Sequence, residues 1–405
     1  MIQFLKKIFG ITTKYKSHSE AVVISCFFNP QNSPYRLKAF NRFFESIQSV
    51  NHCIIECVIG DAKPQLPENE NIKRVYTENL LWHKEALLNK IISEYLPNQY
   101  KYIFWVDADI LFTNPNWIIE GVEVLQRENI IQPFEYCIHL ERDESEPSFD
   151  VEKFRSRVFD EKYVNRRIWR SFSANYKTAS LTKSQNDIYN IHGHVGFAWG
   201  ARREILERIP LYDRALIGGA DHIIAHAATG QIPHSCITKS FTDNLDEVLK
   251  WSKRFYKLIQ GKVGYVSGDL YHIWHGDIDK RQYLKRIQDF TAKTKQIVHK
   301  DQNGLYITLS GDDEYMKKYF KHREVSGDNI YLTSMGMSYM DPSSSDSSFD
   351  EAVIADSVLK DWNESNQTPS DFGGGESGGA GAGGTWENSA DNTSSSQVVM
   401  SDNFS

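Results

Sequence analysis

No stretch of this chain approaches the ~18 consecutive apolar residues of a membrane span, which excludes an integral helical membrane protein. Cysteine is scarce: Cys26, Cys53, Cys57, Cys137 and Cys236 are an odd number, contain no CxxC pair and fall mostly within apolar runs. That usage points to buried free thiols in a reducing compartment, and so to the cytoplasm, rather than to a disulfide framework. A concentrated Lys/Arg stripe is also missing, which argues against a nucleic-acid partner. Finally, the segment after the first apolar run, FFNPQNSPYR at 27–36, holds no glycine. A metal-dependent nucleotidyltransferase or hydrolase normally places a glycine-rich phosphate loop there, so that alternative is weakened.

What is present is a composition that is 40% apolar and 13% aromatic over 405 residues, enough for a sizeable core. Nine Trp and twenty Tyr suit flat, ring-shaped ligands or many packed layers. The formal net charge of −7 conceals an asymmetry. Residues after Ser326 carry 13 acidic side chains against the single Lys360, leaving the body with 45 basic and 40 acidic residues, or +5. A mildly basic body suits a pocket for a small polyanion such as a phosphate.

Three segments follow from these shifts: an N-terminal extension at 1–19, a body at 20–325 and an acidic Ser/Gly-rich tail at 326–405. The start, MIQFLKKIFGI, is too short and broken for a secretory signal, and fits a short amphipathic contact at the inner face of a membrane. In the tail, Gly373–Gly384 has eight glycines in twelve positions, a composition expected to stay disordered. Ile354, Val358 and Trp362 share one helical face there and suggest a docking segment.

Within the body, AVVISCFF at 21–28, CIIECVIG at 53–60, IKRVYT at 72–77 and YIFWVDADILF at 102–112 read as strands. Helical spacing fills 35–50 and 84–95, so the order strand, helix, strand, strand, helix, strand predicts a parallel-type sheet covered on both faces. Apolar pattern resumes at 192–209 and 217–229, followed by a strand at 264–276 and a basic helix around 280–299. Residues 141–190, with Arg166, Arg167, Trp169 and Arg170, read either as an insertion facing an acceptor or as a solvated helical face. In open α/β sheets ligands sit beyond the carboxyl ends of the strands, which gives weight to Asp61, Asp107 and Asp109.

Trp105-Val106-Asp107-Ala108-Asp109 is the strongest chemical signal. Two carboxylates at the rim of a core are costly unless a cation or a donor satisfies them, and a hard divalent ion does so while keeping positions open for phosphates. Gly218-Gly219-Ala220-Asp221-His222 places two glycines before an Asp suited to cap a helix. His272 and His275, in YHIWHGD, stand at the end of a late strand where an imidazole completes a coordination shell. Lys280, Arg281, Lys285 and Arg286 follow and suit a diphosphate. His222 and His226 have the spacing of a zinc-protease helix, but Ile223 stands where its general-base Glu belongs. His192 and His194 alternate as along a strand and read as scaffold, as do Trp199 and Trp274.

The ordered set VDADILF, WHKEALLNK, GHVGFAWGARREIL, GGADHIIAHA and YHIWHGDIDKRQY resembles a bacterial and phage group of nucleotide-sugar glycosyltransferases of the GT-A fold, family 2-like, over roughly residues 20 to 310. The resemblance implies a Rossmann-like mixed sheet with helices on both faces. It also implies Mn²⁺- or Mg²⁺-dependent transfer of a sugar from a nucleotide diphosphate, UDP by default, to a hydroxyl on a glycan, lipid-linked sugar or protein. By the same resemblance Asp107 faces ribose and sugar while joining Asp109 at the metal, and one of His272 and His275 is the late-strand ligand. Asp61 bonds the base, the stretch from Phe28 through Asn29 to Arg36 lines the nucleotide, and Trp82, Lys84, Asn89 and Gly219 approach the donor. An inverting route needs a carboxylate to take the acceptor proton, and Asp221 is the candidate. A nucleotide-sugar or glycan-binding protein without turnover is the reading from another class.

Overall fold

Strands form where β-branched and aromatic residues run unbroken, and helices where the apolar period lengthens to three or four. A computed structural model describes residues 14–155, 167–178, 192–231, 245–276, 297–308 and 313–324. All of them lie in the first of two compact units, Met1–Ser365; the second is Asn366–Ser405. The expected tail, the first thirteen residues, Cys236, Lys280 and Arg281 lie outside the described residues.

In chain order the elements are β1 (Ala21–Phe28), α1 (Pro34–Ser46), β2 (His52–Ile59), β3 (Ile72–Thr77), α2 (Lys84–Lys90), β4 (Tyr102–Val106), β5 (Ile110–Phe112), α3 (Trp117–Leu125), β6 (Ile130–Gln132) and β7 (Tyr136–His139). There follow α4 (Val151–Arg155), β8 (Ile168–Arg170), α5 (Phe172–Thr178), β9 (Ala198–Arg202), α6 (Arg203–Arg208), α7 (Ala220–Thr229), α8 (Leu245–Ile259), β10 (Val263–Tyr265), β11 (Asp269–His272), β12 (Ile297–Lys300), β13 (Tyr306–Thr308) and α9 (Asp313–Glu324).

The main sheet has seven strands in the order β10-β6-β9-β4-β1-β2-β3, all parallel except β9, which runs against both neighbours. It is thus the mixed α/β sheet with helices on both faces that the resemblance implied. Alternate residues of each strand feed opposite cores. Val22, Ile24, Ile103 and Trp105 meet Leu87, Leu88, Ile224 and Phe255 on one face. Val23, Phe104 and Val106 meet Phe40, Phe43, Trp117 and Val122 on the other. The reversed strand fits because Gly200 leaves room for a ring: a Cβ there would lie 2.5 Å from Phe104 Cδ1.

A second, four-stranded sheet has the order β5-β11-β7-β8. The chain first passes from the main sheet to this one between Val106 and Ile110, through the three residues Asp107-Ala108-Asp109. The described residues of 141–190 divide: 141–155 are mostly exposed and include α4, whereas the stretch from Ile168 is built into the second sheet. Ile168, Trp169 and Arg170 are buried in β8, and Arg170 pairs with Glu135 at 2.9 Å. The strand expected over 264–276 is broken into β10 and β11 around Gly268, whose φ of 125° turns the chain. The helix expected to reach 299 gives way to β12 from Ile297. Cys26, Cys53, Cys57 and Cys137 are free thiols. Among the described residues no helix is long and apolar enough to cross a membrane.

Candidate functional site

The acidic turn is held open by backbone bonds at both ends. Asp107 N–H donates to Phe197 O at 2.7 Å, and Ile273 N–H donates to Asp109 O at 2.8 Å. Because Ile110 pairs with His272 across β5 and β11, the end of β11 is brought beside Asp109. Its Oδ2 lies 2.9 Å from His275 Nε2 and 3.9 Å from His272 Nε2, and both imidazoles are buried. Burial alone would raise the Asp109 carboxyl, but His275 above all, with His272 and Arg36, holds it well below the usual carboxylate range. Its other oxygen, Oδ1, is buried with no hydrogen-bond partner among the described residues.

The Asp109 carboxylate, with one oxygen orphaned and two imidazole nitrogens gathered within 4.8 Å, fits a divalent cation. Both histidines, and not one of them, join Asp109 in the cluster. Two nitrogen donors favour a first-row transition ion such as Mn²⁺ over Mg²⁺, which prefers oxygen.

Asp107, expected at the metal as well, is instead bound by Lys84, whose Nζ lies 2.7 Å from its Oδ1. The same ammonium reaches Asp221 at 3.3 Å. Lys84 opens α2 and Asp221 stands in the first turn of α7, so one cation joins two helices and the acidic turn. Burial pushes Asp107 up to about 6 against the pull of Lys84, with Asp221 and Asp109 adding to the rise. Burial would lower Lys84, yet Asp107 and Asp221 outweigh it and keep its ammonium charged. Asp221 is not the helix cap expected: Gly219, at φ 97°, holds that position, and Asp221 makes no cap bond. Its carboxylate faces Lys84 and the cavity.

These groups line a cavity of about 250 Å³, together with Arg36, Trp82 and Gly219. Arg36 also donates through Nη1 to Phe28 O at 2.8 Å. Three expected donor contacts are placed otherwise. Asn29 is spent on its own loop and on Gln65 after β2, donating to Ser33 O and Gln65 Oε1 and accepting from Ser33 N–H. Asn89 clamps α2 to the chain ahead of α7, giving and receiving one bond each with Leu211 at 2.9 Å. Asp61 is exposed at the turn after β2 and does not line the cavity.

Sequence reasoning missed several lining residues. Glu85 is 3% exposed, and burial pushes its carboxyl up to about 8 despite Lys84. His83 and His222 are pushed down to about 4 by burial, so both are neutral near pH 7. His139, Trp169 and His194 come from the second sheet and the segment before β9, and Tyr319 comes from α9. The placing of Glu85 beside Lys84 in a helix start was a legible signal; the long-range arrivals carried none. His192 and His194 do not share a strand: His194 bridges Ser171, while His192 packs against His222 and His226.

No protein-family model matches this chain, and no curated protein does. Among solved structures it is similar to a mycobacterial protein at 13% identity and TM-score 0.33, covering 72% of this chain and 83% of the other. Glucosyl-3-phosphoglycerate synthase from Mycobacterium tuberculosis, solved with Mn²⁺, UDP-glucose and phosphoglyceric acid, is similar at 11% identity and TM-score 0.29, covering 72% and 86%. The catalytic domain of Drosophila β1,4-galactosyltransferase 7 in complex with xylobiose is similar at 12% identity and TM-score 0.23, covering 51% and 58%.

Proposed function

We propose that this protein transfers a sugar from a nucleoside diphosphate donor, a UDP-sugar by default, to a hydroxyl acceptor, with a divalent metal at Asp109, His272 and His275. The observation that carries the reading is Asp109 itself. It is a partly buried carboxylate with one oxygen turned to two imidazoles and the other, itself buried, without a partner among the described residues, on the wall of a strand-end cavity. A cation held there supplies positive charge opposite a departing diphosphate.

The chain's own residues do the rest. Lys84 sets the spacing of Asp107 and Asp221 across the cavity and adds positive charge near the leaving group. Arg36 adds a second cation on the same wall. In an inverting transfer the anomeric carbon's bond to the diphosphate oxygen breaks as its bond to the acceptor oxygen forms, and Asp221 takes the acceptor proton. Trp169 and Tyr319 give the cavity aromatic walls. Lys280 and Arg281, proposed as diphosphate partners, lie outside the described residues.

Calorimetric titration of UDP with and without Mn²⁺, paired with UDP-sugar turnover, tests this. Mn²⁺ is expected to strengthen UDP binding at least about tenfold, ~1.4 kcal/mol. Asp109→Asn is expected to abolish that gain, and Asp221→Asn to abolish turnover while keeping it. UDP binding indifferent to Mn²⁺ in the unmodified protein would sink the reading.

A further inference from the structure

We propose a second metal site in the floor of the cavity, formed by Cys137, His139 and His194 and suited to a thiophilic divalent ion of the zinc type. The Cys137 sulfur and one ring nitrogen from each histidine all lie within 4.8 Å of one another. Tetrahedral zinc, with bonds of about 2.0–2.3 Å, sets its ligands about 3.3–3.8 Å apart, so side-chain adjustment alone closes the set. Residues 137 and 139 are two apart on β7 and project from the same face of it.

His194 arrives from outside that sheet and is fixed by its backbone. Its N–H donates to Arg170 O at 2.7 Å, and its carbonyl accepts from Phe172 N–H and Gln132 Nε2, each at 3.0 Å. The rings are fixed too: Trp169 meets His139 edge-on at 4.7 Å, and Phe197 stacks on His194 at 4.1 Å and 3°. Such constraint on ligands before an ion arrives is what a metal site requires. His139 and His194 line the cavity and give an entry path, while Cys137 lies wholly buried behind them.

Binding breaks the Cys137 S–H bond and forms a sulfur–metal bond, the proton leaving to solvent. Among the contacts surrendered are the thiol's 3.4 Å bond to Trp169 O and the 3.2 Å approach of Gly196 N–H to His194 Nδ1. One sulfur and two nitrogens select zinc-like ions, whereas the Asp109 cluster, with oxygen and no sulfur, suits a harder ion. An ion here ties β7 to the segment carrying Gly196, against which Asp221 rests. The inference does not depend on the sugar-transfer reading.

Cobalt substitution tests it, because Co²⁺ bound by a thiolate shows a near-ultraviolet charge-transfer band that an Asp and His set does not give. The full-length protein, stripped by chelation and titrated with Co²⁺, is expected to show that band. Cys137→Ser is expected to lose it, while Cys26→Ser and Asp109→Asn keep it. Bound Co²⁺ without the band, or a band that survives Cys137→Ser, would overturn the proposal. Should Cys137→Ser fail to fold, His194→Gln supplies the decision. It is expected to weaken Zn²⁺ at least about tenfold against a chromophoric chelator, and unchanged affinity would refute the site.

Discussion

Lys84 sets the electrostatics around Asp107 and Asp221. One ammonium faces two carboxylates, at 2.7 and 3.3 Å, and buried Glu85 stands next to it in the helix. With one ammonium beside three acids, Glu85 is the acid that keeps its proton, its carboxyl raised by burial to about 8 from an ordinary 4.5. The consequence for stability has a definite sign. Between those two values the folded chain holds a proton that the unfolded chain has released, so Glu85 makes stability fall as pH rises through that window. Glu85→Gln keeps the shape of the protonated acid and is expected to flatten the loss. Urea unfolding at pH 5 and pH 8 should show the variant gaining on the unmodified protein at the higher pH, and an equal gap at both would contradict the assignment.

Among elements, β9 decides how far the acidic turn can be trusted to stay in place. It runs antiparallel between β4 and β6, and Phe104 pairs with Gly200 in its ladder. Gly200→Ala would set a Cβ 2.5 Å from the Phe104 ring, within a core that has no slack. The expected cost is about 1–3 kcal/mol in urea unfolding, with donor affinity falling too because β4 leads directly into Asp107. Unchanged stability would show that the ring relaxes freely. The first four strands of the main sheet were readable because continuous Val, Ile and Phe runs admit little else, and VDADILF marked the strand end that matters. What was not readable depends on distance along the chain. Asn29 and Asn89 looked like ligand contacts, yet each answers a backbone demand, of its own loop for Asn29 and of distant Leu211 for Asn89, that only folded partners reveal. Cys137 and His139 sit in an ordinary-looking strand, and nothing in its pattern announces that His194 will face them. Reading Asp221 as a cap failed for a smaller reason, a helix that starts two residues earlier than its Gly-Gly signal suggested.

At the scale of the whole molecule, the cavity draws on segments from Cys26 to Tyr319, so no short stretch of chain contains it. Helix α9 seals one side: Met316, Tyr319 and Phe320 pack against Leu80, Leu81, Leu216 and Ile217, with Phe320 5.6 Å from Phe28. A chain ending at residue 312 is expected to bind UDP about tenfold more weakly, ~1.4 kcal/mol, with Mn²⁺ affinity unchanged. A chain ending at 325 should behave as the full protein does; equal UDP affinity in both truncations would remove α9 from the site. The order of synthesis then acquires a meaning. A ribosome must release more than three hundred residues before the last wall arrives, and until then Phe28, Leu80 and Leu216 stand uncovered on an otherwise folded body. Nascent chains stalled in that interval present a greasy opening to whatever chaperone is nearest, and the cavity gains its last wall only once Phe320 has emerged.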